Sequence, residues 1–233
     1  MYPNLTPRLR TVAELVPAGT RLADVGTDHA YLPAYLLTTG RILTAIGTEI
    51  RSGPLTRAKE TAERYGLEEQ LSLRLCDGLA GISADEVDVV TVAGMGGETI
   101  LNILKAAPWS FEKTCILQPM SAVEVLREEL DRLGISIAKE VLVKEGETLY
   151  LVFRLAERRT VKEKPLTPAE CYVGTAAAHA GDPLWPEYLA LSCRRAERAL
   201  AGLARSQRPE DAERRAYFSQ VLDGLTDMMK EGT

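Results

Sequence analysis

The chain has 233 residues, of which 45% are hydrophobic and 26% charged, enough apolar material for one α/β core and a smaller appended unit. It contains no run of about 18 apolar residues, and Met1-Tyr2-Pro3-Asn4 lacks the charged-then-apolar pattern of a secretory leader. Neither a membrane span nor a signal peptide is supported, and a cytoplasmic protein is expected.

The net charge of −5 is uneven: residues 1–156 carry 16 Lys+Arg against 21 Asp+Glu, and residues 157–233 carry 12 against 12. The second part holds basic clusters, Arg158, Arg159, Lys162 and Lys164, then Arg194, Arg195, Arg198, Arg205, Arg208, Arg214 and Arg215. Such runs are solvated faces in most proteins and permit a polyanionic partner here. Cys76, Cys115, Cys171 and Cys193 match no Cys-x-x-Cys spacing. They read as core residues, with no zinc site and no disulfide framework.

Thr6-Pro7 reads as an N-cap and first helical position, with Leu9, Val12, Ala13 and Val16 on one face until Pro17-Ala18-Gly19. Strand and helix patterns then alternate: strand 21–26, helix 30–38, strand 43–49, helix 54–65, strands 71–76 and 87–93, helix 97–106, strand 114–118, helix 122–133. This predicts a doubly wound parallel α/β sheet. The run 87–93 is nearly all apolar or β-branched, as a strand covered on both faces should be. Strands 135–144 and 148–156 flank Glu145-Gly146-Glu147 with no helix between, a hairpin signal. A parallel sheet finished by an antiparallel hairpin is similar to the common fold of S-adenosylmethionine-dependent methyltransferases.

Lys164-Pro165-Leu166-Thr167-Pro168 reads as a linker, so the division is 1–160 and 161–233. Leu189, Cys193, Ala196, Leu200 and Leu203, then Phe218, Leu222, Leu225 and Met229, step by fours and threes. These are coiled-coil seams, and the polar break 206–211 predicts an antiparallel helical hairpin closed within one chain, hence a monomer.

Candidate chemistry lies at strand ends. The run 23–33 takes a strand into a polar turn at Asp24, Gly26, Asp28 and His29 before a helix opens at Tyr31. Gly26 allows close approach of a ligand, and backbone N–H groups at a helix start attract negative groups. Glu49 lies 23 residues after Gly26, where an open sheet places an acid for ribose hydroxyls; a surface Glu is the plain alternative. Asp77-Gly78 is either a turn or an acceptor for an adenine amino group beside a glycine that admits the ring. Ala93, Gly94, Met95, Gly96 and Gly97 read as a ligand-facing loop after the fourth strand. Arg8 is either exposed or the partner of a cofactor carboxylate. Tyr31 is either a core residue of its helix or, with His29, a stacking surface.

No histidine cluster, metal set or nucleophile–base pair is apparent, so the chemistry should need none of them. Methyl transfer fits, because a sulfonium is already activated and positioning can carry catalysis. An idle nucleotide- or RNA-binding module and a nicotinamide oxidoreductase are the competing readings.

Leu5-Thr6-Pro7-Arg8-Leu9, the run from Asp24 to Pro33, Glu49 with Gly53-Pro54, Asp77-Gly78, Ala93-Gly94-Met95-Gly96-Gly97 and Leu117-Gln118-Pro119 together resemble the TrmK-type bacterial tRNA (adenine-N1)-methyltransferases. The resemblance covers about residues 5–155 closely and the tail in kind. It implies a Rossmann-like catalytic domain, S-adenosyl-L-methionine as cofactor, adenosine 22 of tRNA as methyl acceptor and a helical unit that helps hold tRNA. It also implies a cofactor site at Arg8, Asp24, Gly26, Asp28, Glu49, Asp77, Gly78 and Ala93–Gly96, and catalytic roles for Asp28, His29 and Tyr31. Two departures stand out: Met120 where the family pattern has Asn, and Gly47-Thr48 in place of a small pair before Glu49.

Overall fold

The computed structural model describes residues 2–159, 164–204 and 208–231. Seven strands form one sheet in the order β3-β2-β1-β4-β5-β7-β6. They are β1 Thr20–Val25, β2 Ile42–Glu49, β3 Leu71–Leu75, β4 Val89–Gly96, β5 Thr114–Ser121, β6 Ile135–Glu145 and β7 Thr148–Arg159. Strands β1 to β5 pair in parallel, and β7 runs antiparallel to both β5 and β6. The predicted terminal hairpin is therefore present.

Because successive side chains point to opposite faces, each central strand feeds two cores. Ala23, Val90, Leu117 and Phe153 pack on one face; Leu22, Val89, Ile116 and Val152 pack on the other. That two-sided burial explains the continuous apolar runs. The second face is covered by α1 (Pro7–Leu15), α2 (Tyr31–Thr38) and α3 (Ser52–Tyr65), and the first by α4 (Gly97–Ala106) and α5 (Val123–Arg132). The expected cap of α1 is formed, with Thr6 Oγ1 accepting from Leu9 N–H.

The segment read as a glycine loop is strand. β4 runs on to Gly96 because β5 also continues, pairing Met95 with Pro119 and Gly96 with Ser121 across an irregular register. Part of its glycine content answers to packing: a Cβ on Gly97 would collide with the Ala122 carbonyl at the start of α5.

Three further helices follow, α6 (Pro168–Val173), α7 (Trp185–Leu203) and α8 (Pro209–Glu231). Cys193 at the middle of α7 meets Met229 near the end of α8, and Arg215 near the start of α8 donates to the carbonyl of Leu203, the last residue of α7, so α7 and α8 are antiparallel. Leu189, Ala196, Leu203 and Leu225 of the expected seams are buried, but Met229 is exposed and Val221, outside the seam, is fully buried. The reason is a second neighbour. A Cβ on Gly224 would lie 2.5 Å from Ala169 Cβ, so α8 packs on α6 as well as on α7. Ala169, Val173, Tyr188, Leu189, Ala196, Val221 and Leu225 share one core with Leu126, Leu130 and Leu155.

A buried charge cluster pins this junction. Arg127, 2% exposed, donates to both carboxylate oxygens of Glu140 at 3.2 and 2.9 Å and to the Cys171 carbonyl at 2.6 Å. His179 Nε2 lies 3.1 Å from Glu140 and its ring stacks on Trp185 at 4.3 Å. Burial pushes the Glu140 carboxyl up, but the Arg127 charge and the hydrogen bonds from His179 and Arg127 outweigh it and hold it below the usual range. Cys115 and Cys171 are buried and Cys76 and Cys193 half-buried, all as free thiols. The basic residues Lys162 and Arg205, the side chains of Arg158 and Arg159, the 160/161 division and residues 206–207 of the break lie outside the described residues.

Candidate active site

The sheet reverses its winding between β1 and β4, and ligands of open α/β sheets lie outside the carboxyl ends of strands at such a point. At the end of β1 the chain turns through three left-handed residues, Gly26 (φ 67°), Asp28 (φ 48°) and Ala30 (φ 54°), before α2 begins. Two of these are not glycine, so the turn must be held from outside. Gly26 and Thr27 N–H groups donate to the Thr48 carbonyl, and Asp28 N–H donates to Glu49 Oε1 at 2.6 Å. From below, Asp24 accepts from the Thr27 and Thr91 hydroxyls, each at 2.7 Å. Burial raises the Asp24 carboxyl to about 6 against the pull of those two hydroxyl donors, and the charge of Glu49 adds to the rise.

The cleft along this rim has two lobes. One, of about 420 Å³, is lined by Arg8, Asp24, Gly26, Asp28, His29, Tyr31 and Glu49, together with Ala93, Gly94 and Met95. The other, of about 410 Å³, is lined by Asp77 and Gly78 with Cys76, Thr99, Asn102 and Ile103. Gly26, Glu49, Ile50 and Met95 border both. A Cβ on Gly26 would meet the Met95 methyl, and its φ of 67° is one that side chains rarely adopt, so a glycine suits the waist where the two lobes join. Gly96 lines neither lobe and faces Ser121 instead. Thus every residue read as part of the site, except Gly96 and Gly97, converges on one cleft.

The acid-rich turn is less free than the sequence suggests. Asp28 Oδ1 accepts from Arg57 Nη2 at 2.8 Å, and its carboxylate lies 3.8 Å from His29. His29 and Tyr31 stack at 5.1 Å with planes 12° apart. Tyr31 is 38% exposed, which overturns the core reading of this residue. At the opposite wall, Arg8 Nη1 donates to Gln118 Oε1, the guanidinium lies 5.5 Å from the Tyr150 ring, and Arg8 Nε is buried with no partner among the described residues. A buried guanidinium nitrogen in a cleft fits an anionic group such as a carboxylate. No group of three or more His, Cys, Asp or Glu able to hold a metal occurs among the described residues.

Sequence reasoning missed Arg57, Thr91, Gln118 as a contact residue, and the α4 wall. Thr99, Asn102, Ile103 and Ala106 fall at helical spacing on one face of α4, a signal that could have found that wall. The Arg57–Asp28 pair has no local signal, because it joins residues 29 apart.

A seven-stranded sheet with its reversed β7 and a rim of this kind define a class, the Rossmann-like methyltransferases. The family described as "Methyltransferase domain" matches residues 5–153. A tRNA (adenine(22)-N(1))-methyltransferase of Bacillus subtilis (strain 168) is 40% identical over 151 residues, 64% of this chain and 63% of that protein. The chain thus spans less than two thirds of that relative in the matched region. The crystal structure of the B. subtilis m1A22 tRNA methyltransferase TrmK superposes with a TM-score of 0.84 at 28% identity, covering 97% of this chain and 99% of that one. M. capricolum TrmK in complex with S-adenosyl-homocysteine gives 0.81 at 26% identity, covering 97% and 98%. The chain belongs to the methyltransferase-domain family, and the solved structures it is similar to within that family include two TrmK enzymes.

Proposed function

We propose that this chain transfers a methyl group from S-adenosyl-L-methionine to N1 of an adenosine in tRNA, at position 22 as in the B. subtilis relative. The observation that carries the reading is the two-lobed cleft, with a buried unpartnered Arg8 Nε in one lobe and Asp77-Gly78 in the other. When bound, S-adenosylmethionine supplies a methyl already activated on a sulfonium. Arg8 would hold the carboxylate end, Glu49 the ribose, and Asp77 the adenine amino group beside Gly78. Asp24 and the Gly26 turn shape the floor, and Ala93, Gly94 and Met95 the wall.

Adenine N1 attacks with its own lone pair, so no residue has to remove a proton first. The base becomes cationic, and a nearby carboxylate favours that charge. Asp28 is the candidate, shared with Arg57. The exposed face of the His29–Tyr31 stack suits an unpaired base taken out of the tRNA fold. Exposed Arg194, Arg195 and Arg198 on α7 and Arg214 on α8 would meet phosphates. We place the catalytic unit in residues 1–160 and the helical unit in 161–233, and the protein as a cytoplasmic monomer. Among the described residues, no helix is long and apolar enough to cross a membrane.

The test is a mass-spectrometric nucleoside map of unmodified tRNA incubated with the protein and S-adenosylmethionine. 1-Methyladenosine at position 22 is expected. Cofactor binding without any methylated nucleoside would favour the idle module instead.

A further inference from the structure

We infer that Gln118 is a positioning residue that aims Arg8 at the carboxylate end of the cofactor, an inference that rests on the cleft being an S-adenosylmethionine site. Gln118 ends the apolar run of β5 and is fully buried. A buried amide must satisfy its own groups, and each bond it makes here ties down part of the cleft. Its Oε1 accepts from Arg8 Nη1 on α1 and from Gly94 N–H on β4 at 3.0 Å. Its Nε2 donates to the Pro119 carbonyl at 2.9 Å and lies 3.6 Å from Met120 Sδ. One oxygen therefore fixes a side chain and a backbone segment of the same lobe.

The chemistry of that oxygen matters. An amide orients a guanidinium without neutralising it, whereas a carboxylate in the same place would pair with the charge and compete with an incoming anion. Arg8 offers five N–H donors. Gln118 engages Nη1, the Tyr150 ring lies 5.5 Å from the guanidinium carbon, and Nε is left for a ligand. The helix that carries Arg8 is itself tied to the terminal hairpin, because Arg8 N–H donates to Glu145 Oε2 at 3.1 Å. With the backbone held, the freedom left is that of the Arg8 side chain, and the bond from Nη1 to Gln118 restricts it.

The experiment uses two probes, S-adenosylhomocysteine and 5′-methylthioadenosine, which share the nucleoside but differ in the amino-acid end. Gln118→Met keeps the volume and deletes the acceptor; Gln118→Glu keeps the acceptor and adds a counter-charge. By isothermal titration, both variants should bind S-adenosylhomocysteine about tenfold or more weakly, the scale of a hydrogen bond to a charged group. Both should bind methylthioadenosine within about twofold of the unmodified chain. The double variant Arg8→Met/Gln118→Met should bind S-adenosylhomocysteine no more weakly than Arg8→Met alone, since the two act as a unit. Equal loss of both probes, or additive losses in the double variant, would overturn the role of Gln118. If Gln118→Met does not fold, Gln118→Glu carries the same comparison. An unmodified chain that binds neither probe would instead sink the cofactor reading itself.

Discussion

Lowering the pH from about 7.5 to about 5 should weaken S-adenosylmethionine binding about tenfold, and the group responsible is Asp24. Its carboxyl is buried and raised to about 6, from an ordinary 3.8, chiefly by loss of water. Asp24 lines the lobe proposed to take the amino-acid end, so a ligand carrying an ammonium and a sulfonium should favour its ionised form and return it towards the ordinary value. Near pH 7.5 the group is charged with or without ligand, and no proton moves. Near pH 5 about nine in ten free molecules hold a neutral Asp24 that must ionise on binding, a cost of about 1.4 kcal/mol. Titration in two buffers of different ionisation enthalpy should report the release of about one proton at the lower pH.

The stability of the free chain carries the opposite sign. A raised folded value means a contribution that is complete below 3.8 and lost as the pH climbs through about 6, amounting to about 3 kcal/mol. Asp24→Asn keeps an acceptor for one hydroxyl and should abolish the pH slope of binding, which separates Asp24 from every other titrating group of the cleft. A slope that survives in Asp24→Asn, or an affinity that does not fall with pH in the unmodified chain, would refute the reasoning.

Arg127→Met should cost about 3–5 kcal/mol, because it leaves the buried Glu140 carboxylate facing His179 alone, and adding Glu140→Leu should restore most of that. Thermal unfolding should show a drop in midpoint of about 6–20 °C for the single variant; a cost below about 1 kcal/mol would show that the ion pair is not what holds the junction. Asp28→Asn, chosen because Asn tolerates the left-handed backbone, should lower turnover on tRNA about tenfold to a hundredfold with tRNA affinity preserved. Unchanged turnover in a stopped-time assay would clear Asp28 of a catalytic part.

Much of the fold was legible because the strands are buried on both faces and the helices on one. Hydropathy runs and their 3.6-residue counterpart thus carried the order of elements and the final hairpin. Boundaries failed where pairing rather than composition decides: Gly94–Gly96 reads as loop by its glycines and is strand because β5 runs alongside. Gly97 resembles a ligand-facing glycine in sequence, yet the Ala122 carbonyl is what needs its missing side chain. The site was legible at strand ends, where Gly26, Glu49 and Asp77 meet one cleft. It was illegible where partners come from distant segments: Thr91 lies 67 residues from Asp24, and Gln118 lies 110 from Arg8. Tyr31 stands on an apolar helix and could be placed outside the core only once the stack with His29 was visible.

The helices after residue 164 are structural masonry for the sheet-bearing half as well as an outer limb. Ala169, Val173, Tyr188 and Leu225 close the same interior that Leu126, Leu130 and Leu155 begin. A chain cut at the proline-rich joint would bare that oily wall to water and gain a reason to clump, so poor RNA retention by the stump would say nothing about grip. Reversing the charge of Arg194 and Arg198, both exposed on α7, leaves the wall sealed and asks the question of the intact molecule.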